Sequence, residues 1–288
     1  MKKDDELFKD LQNLMGSQNF KNEKDLEKFF NQFMSNELTQ IKNGNTIKNN
    51  LAEDIVQEAY GLDEFEAKEA AAEALMLDDK CIAAYELLAT IEGNPFISLV
   101  FLEKAIGLGK EKFGGKYLKE NKGYFWGLHE TRPYMRCLQA YAECLYLIGK
   151  TKESIAVLEE MLVLNPNDNQ GIRDFLLLYL IEDGQPLKFI KYDKMFEEDT
   201  MAFASFNRAL FAFKTEGDNE NSVNKLKQAI KENNHIVKLL LAKKDVEDVP
   251  SSYSIGSKDE ADFYTFYAKP VWQNIEGALD WLRSNNRK

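Results

Sequence analysis

One short string gathers most of the conspicuous side-chain chemistry of this chain. It reads Phe125-Trp126-Gly127-Leu128-His129-Glu130-Thr131-Arg132-Pro133-Tyr134-Met135-Arg136. An imidazole, a carboxylate and a guanidinium stand almost side by side at His129, Glu130 and Arg132, just after the Trp126 ring. Brought together, they would make a ligand pocket. Read structurally, Trp126 fills a gap in packing and Glu130 pairs with an arginine. Metal-dependent hydrolysis is not the chemistry here, because HExxH needs a second histidine one helical turn on, and Arg132-Pro133 occupy that place. Pro133 suits the first position of a helix, which puts Arg132 at the N-cap.

A second polar run, Asn165 to Arg173, is rich in side chains that hydrogen-bond their own backbone: Asn165, Asn167, Asp168 and Asn169. This is the composition of a tight turn, with Asp168 or Asn167 as N-cap of the next helix. Cys81, Cys137 and Cys144 form no CxxC pair, and a closed zinc site needs about four ligands, so they read as reduced, buried small hydrophobes. No nucleophile elbow, phosphate loop or dinucleotide fingerprint is present. The expectation is a protein that is not an enzyme and needs no cofactor or metal.

The elements that position these residues are helical. Apolar residues recur at helical spacing, as in Leu138, Tyr141, Ala142 and Leu145, and β-branched alternation is nearly absent. Over 288 residues, 37 basic and 48 acidic side chains give a net charge of −11. An acid excess argues against nucleic-acid partners, which are held through clustered Lys and Arg, and against an anionic membrane surface. Twelve of the acids lie between Leu51 and Glu92 against only Lys68 and Lys80. They read as a solvated helix face. No signal peptide or membrane span is evident, so a cytoplasmic protein is expected.

The helical pattern repeats. From Met135, the residues Leu138, Tyr141, Ala142, Leu145, Gly149, Ser154, Leu158, Met161 and Pro166 resemble the large–large–small–large–Gly–small–large–small–Pro pattern of a tetratricopeptide repeat, departing from it at Ser154 and at the bulky Met161, where alanine is usual. Gly149 suits the left-handed position that ends a first helix. Ser154 is small enough for two helices to approach, and Pro166 stops the second. A further repeat starts at Asn169, with helices Gly171 to Glu182 and Pro186 to Met195. Another starts at Phe203, with Phe206, Leu210, Phe213, Gly217, Ser222, Leu226 and Ala229. Ala67, Ala71 and Ala74, then Tyr85, Leu88, Ala89, Ser98, Leu102 and Ala105, mark two partial hairpins upstream. One hairpin cannot bury its apolar face; stacked neighbours do so jointly.

The expected fold is therefore all-α: a tetratricopeptide-like solenoid, right-handed, over residues 51–245. Residues 1–50 form an amphipathic helical extension that leaves a homodimer open. The glycines from Gly107 to Gly127 mark an insertion at 107–132. Residues 246–288 form a loop and two capping helices, which Pro270 divides after a Ser257–Glu260 capping box.

Three strings carry a more specific likeness: Phe125 to Arg136, Leu164 to Arg173, and Ala229 through Asn234-His235 to Gly256, Glu260, Trp272 and Glu276-Gly277-Ala278-Leu279. They resemble a family of bacterial tetratricopeptide-repeat proteins of unsettled function. The third also resembles the C-terminal part of the eukaryotic suppressor of tumorigenicity seven family. The resemblance implies an interaction scaffold and supplies no catalytic residue. It also implies an inner groove lined by the first helix of each repeat. Arg136, Gln139, Glu143 and Tyr146 would line it, followed by Gln170, Arg173, Asn207 and Lys214, with Trp126 and His129 as an accessory pocket. Arg136 and Arg173 would be forks for a peptide carboxylate. The expected function is a scaffold or adaptor that binds a protein or peptide partner. The alternative is a sensor of a small peptide or anionic ligand.

Overall fold

The computed structural model describes residues 51–286. The extension over 1–50 and the dimer expected of it lie outside them. The described residues are all helix, turn and loop, with no strand. No helix among them is long and apolar enough to cross a membrane.

The chain divides into two compact units between Ala84 and Tyr85. In the first, residues 51–59 are helical and bury Ala52, Val56 and Ala59. Helix α1 (Glu64–Leu77) follows, with Asp63 as N-cap accepting from the Glu66 amide at 2.9 Å. It buries Ala67, Ala71 and Ala74 and leaves its acids in water. The acid-rich stretch is thus mostly a solvated helix surface.

The second unit starts within α2 (Ile82–Ile91) and continues with α3 (Pro95–Phe113) and the short α4 (Gly115–Asn121). After a 3-10 turn at His129–Thr131 come α5 (Arg132–Leu147), α6 (Thr151–Leu164), α7 (Arg173–Glu182), α8 (Pro186–Met195), α9 (Ala202–Glu216) and α10 (Glu220–Glu232). A short α11 (His235–Leu240) precedes an irregular stretch, then α12 (Lys258–Asn274) and α13 (Ala278–Asn285). Helices α5 and α6, α7 and α8, and α9 and α10 pack as consecutive pairs, and α7 also touches α6 and α9.

The punctuation of these pairs is as the spacing predicts. Helix α5 ends with Gly149 at φ 79°. There the Lys150 amide donates to Leu145 O at 2.8 Å and the Gly149 amide to Tyr146 O at 2.9 Å. The same double closure ends α7, where Gln185 donates to Leu180 O at 3.0 Å and Gly184, at φ 68°, to Ile181 O at 3.2 Å. Both satisfy carbonyls that a helix end leaves bare. Ser154 does more than save space. Its hydroxyl donates to Ala142 O at 2.7 Å across the α5–α6 crossing, as Ser98 donates to Ala89 O at 3.0 Å.

Several expectations are corrected. Helix α3 runs through Gly107 and Gly109 to Phe113, so the first part of the stretch expected as an insertion continues a helix. Gly109 is there for contact: a Cβ at this position would lie 2.1 Å from the Tyr134 ring. Helix α5 begins at Arg132 with Thr131 before it, one residue earlier than Pro133 implies. Helix α7 starts at Arg173, two residues after Gly171. Pro270 does not divide the tail, because α12 passes through it. Burial along α12 is continuous through Tyr264, Thr265, Ala268, Lys269, Val271 and Trp272. The Trp272 Nε1 donates to Tyr264 Oη at 2.8 Å across this segment. Burial on that scale outweighs one lost helical hydrogen bond.

Candidate functional site

The helical period of α5 sets Arg136, Gln139, Glu143 and Tyr146 along one face, and all four are half-buried. Gln170, in the turn before α7, donates to Gln139 Oε1 at 3.0 Å and to Met135 O at 3.4 Å. Gln139 in turn donates to Glu143 Oε1 at 3.3 Å. The result is a ladder of amides ending on a carboxylate. Burial raises the Glu143 pKa above the usual carboxylate value, opposed by the Gln139 hydrogen bond. Gln170 Oε1 is buried and has no donor among the described residues.

Tyr146 closes the row. Its ring stacks on Tyr179 at 3.7 Å between centroids and its hydroxyl donates to Glu182 Oε2 at 2.7 Å. Burial, then the Glu182 carboxylate, raises the Tyr146 pKa, and burial, then the Glu143 charge, raises that of Tyr179. Asn274, at the end of α12, donates to Glu182 Oε1 at 3.3 Å.

The two arginines expected as free forks are already engaged. Arg136 binds Glu86 of α2 through Nε to Oε1 at 2.5 Å and Nη2 to Oε2 at 2.7 Å. Arg173 sits between Asp168 and Asp199, with Nη1 to Asp168 Oδ2 at 3.0 Å and Nε to Asp199 Oδ2 at 2.8 Å. Asp168 also accepts from the Ile172 and Arg173 amides at 2.9 and 3.0 Å. The N-cap of α7 is Ile172 and not Asp168 or Asn167 as expected; Asp168, at φ 47° and five residues before Arg173, reaches the helix start from further upstream. A carboxylate ligand would have to displace these internal partners.

Two more of the expected contacts are redirected. Asn207 is fully buried, not surface-lining, and its Nδ2 donates to Asp174 O at 3.2 Å. Lys214 is exposed but donates to Ile181 O and, at 3.3 Å, to Glu182 O. These are carbonyls at the C-terminal end of α7, where a cation is favoured, and Ile181 O accepts from the Gly184 amide as well. Lys214 lines an open cleft of about 430 Å³ with Glu182, Phe213, Asn274 and Glu276.

The accessory pocket does not assemble. Glu130 accepts from Tyr117 Oη at 2.7 Å, while Arg132 donates to Trp126 O at 3.1 Å and lies over the Trp126 ring at 5.6 Å. His129 is on the surface. The segment is anchored by Phe125, which is fully buried against Phe113 and Tyr134. The Phe125 amide donates to Leu164 O at 3.2 Å.

What the sequence reading missed is the path of α12. Expected as an end cap, it packs on α11 and α13 but also on α9 and α7. Tyr267 meets Phe175 edge-on at 4.9 Å, Tyr264 meets Phe203 at 4.9 Å, and Phe263 lies within 6.4 Å of Phe175. The α12 aromatics thus pack on α7 and α9, while the α5 row stays half-buried. Phe263-Tyr264-Thr265-Phe266-Tyr267 was a visible signal. Its partners lie too far away in sequence for spacing to name.

No family model matches this chain, and no solved structure matches it.

Proposed function

We propose that this chain is a cytoplasmic protein-interaction module, a scaffold or adaptor. In this reading it is a tetratricopeptide-like helical array whose inner face takes an extended segment of a protein partner over α5 and the entrance of α7. The carrying observation is the Gln170–Gln139–Glu143 ladder with its unpartnered Gln170 Oε1. An extended peptide presents backbone N–H and C=O groups, and carboxamide side chains offer both an acceptor and donors for them. The repeated closures at Gly149 and Gly184 and the serine links at the helix crossings support the repeat assignment. The likeness to the bacterial repeat family remains part of this proposal.

One feature favours a shorter ligand than a full groove would hold. Because α12 packs on α7 and α9, the α5 row accommodates a short peptide, which is the sensor form of the same reading. An anion bound by arginine forks is disfavoured, since Arg136 and Arg173 already carry carboxylates. Selection of a displayed random-peptide library on the immobilised chain tests the proposal. Enriched peptides whose capture is lost in Gln139→Ala/Gln170→Ala support it. No enrichment, or capture indifferent to the substitutions, contradicts it.

A further inference from the structure

A cavity of about 220 Å³ lies between the C-terminal part of α3, α4, the Phe125 segment, α5 and α6. Its walls are mainly apolar: Phe113, Leu118 and Leu164, with Phe125 at the back. Gly109 also borders it and lets the Tyr134 ring lie directly on the α3 backbone. Tyr134 brings the one polar group inside this apolar wall. The residue is 4% exposed, and its hydroxyl has no hydrogen-bond partner among the described residues. Buried tyrosines ordinarily find one, as Tyr264 does in Trp272 Nε1. Burial, then the Glu160 charge, raises the Tyr134 pKa, so the group stays a hydroxyl able to donate and to accept. Glu160 and Lys110, one charge of each sign, stand exposed at the mouth of the cavity.

These features define a guest. Apolar walls select an apolar body, and the balanced mouth asks for no net charge. A cavity of about 150 Å³ lined by apolar side chains takes up benzene, so this one has room for such a ring and a substituent. The rings of Phe113, Phe125 and Tyr134 lie 5.9 to 6.3 Å apart between centroids, the spacing at which a further ring joins an aromatic cluster edge-on. An unpaired hydroxyl in such a wall is costly, and a guest hydroxyl relieves it by accepting from Tyr134 while donating towards Glu160. We propose that this cavity binds a single phenolic ring, with Tyr134 as its hydrogen-bonding residue and Phe113, Leu118 and Leu164 as its apolar wall. The ring belongs to a free small phenol or to a tyrosine side chain of a peptide, which share this chemistry. The inference goes beyond the peptide reading and does not rest on it, since Gln139, Glu143 and Gln170 do not line this cavity.

The test uses the full chain with ¹³C-labelled leucine methyl groups. It is titrated with p-cresol, with toluene as the ring lacking a hydroxyl, and with N-acetyltyrosinamide as the ring on a peptide backbone. Saturable p-cresol binding is expected, tighter than that of toluene, with nuclear Overhauser contacts from its ring to the Leu118 and Leu164 methyls. Tyr134→Phe removes only a hydroxyl that holds no described residue, so the variant should fold as wild type does. It should weaken p-cresol about five-fold, the scale of one neutral hydrogen bond, and leave toluene unchanged. N-acetyltyrosinamide binding with the same contacts assigns the ring to a peptide side chain; p-cresol binding alone assigns it to a free phenol. The inference is overturned by absence of saturable p-cresol binding, by contacts at other leucines only, or by p-cresol affinity unchanged in Tyr134→Phe. Toluene binding wild type as tightly as p-cresol overturns it too, whatever the variant does.

Discussion

Arg136 and Glu86 are joined by two parallel hydrogen bonds at 2.5 and 2.7 Å, tying α5 to α2 across fifty residues of sequence. The Glu86 side chain is 7% exposed and the Arg136 side chain 37%. Removing the guanidinium takes two charge-assisted hydrogen bonds from a buried carboxylate, which in a fully buried pair costs about 3–5 kcal/mol. Solvent at the Arg136 end lowers this to roughly 1–2 kcal/mol. Arg136→Ala is therefore expected to lower the urea midpoint, and Arg136→Ala/Glu86→Leu to recover part of the loss. An unchanged midpoint in the single variant would show that the pair contributes nothing.

Gly109→Ala sets two effects against each other. Alanine improves helix propensity by about 1 kcal/mol. Its Cβ, however, would fall 2.1 Å from Tyr134 Cδ2, in a ring packed among Phe113 and Phe125. Overpacking of this kind costs about 1–3 kcal/mol, so net destabilisation is expected. Thermal unfolding checks the sign, and Gly109→Ala/Tyr134→Leu should restore stability towards wild type.

Ser154→Ala keeps the small volume but loses the 2.7 Å bond to Ala142 O. A loss of about 1 kcal/mol in denaturant unfolding is expected. Ser154→Val should cost more, since the bulk must part α5 from α6.

Burial raises the Asp174 pKa to about 7, with Asp199, Asp168 and Glu260 adding to the rise and Arg173 opposing it. A carboxyl raised in the folded state holds a proton that the unfolded chain has already released. Its contribution to stability therefore falls as pH rises from about 4, the unfolded value, through 7. Asp168 and Glu143, also raised by burial, act in the same direction. Wild type is expected to lose denaturant resistance between pH 5 and pH 8, and Asp174→Asn to lose less. Parallel profiles for the two proteins would remove Asp174 from the explanation.

Local chemistry was legible in the sequence. Gly149, Ser154 and Pro166 announce a helix end, a crossing and a stop, because each acts through its own backbone or its nearest neighbours. The α5 row was named by the tetratricopeptide resemblance, and helical period sets its four residues on one face. What the sequence left hidden is pairing at long range. Glu86 claims Arg136, Asp199 claims Arg173, and α12 returns over α7 and α9. Pro270 and Gly109 mislead for the same reason: the burial of Trp272 and the position of Tyr134 are tertiary facts that override local preference.

The peptide-binding claim is tested most directly by locating a captured peptide on the chain. A photo-reactive derivative of a display-selected peptide, crosslinked to the full chain and mapped by mass spectrometry, should mark the α5 row and the turn before α7, around Gln139, Glu143 and Gln170. Crosslinks confined to the α8–α10 side or to α13, with the α5 row unmarked, would contradict it.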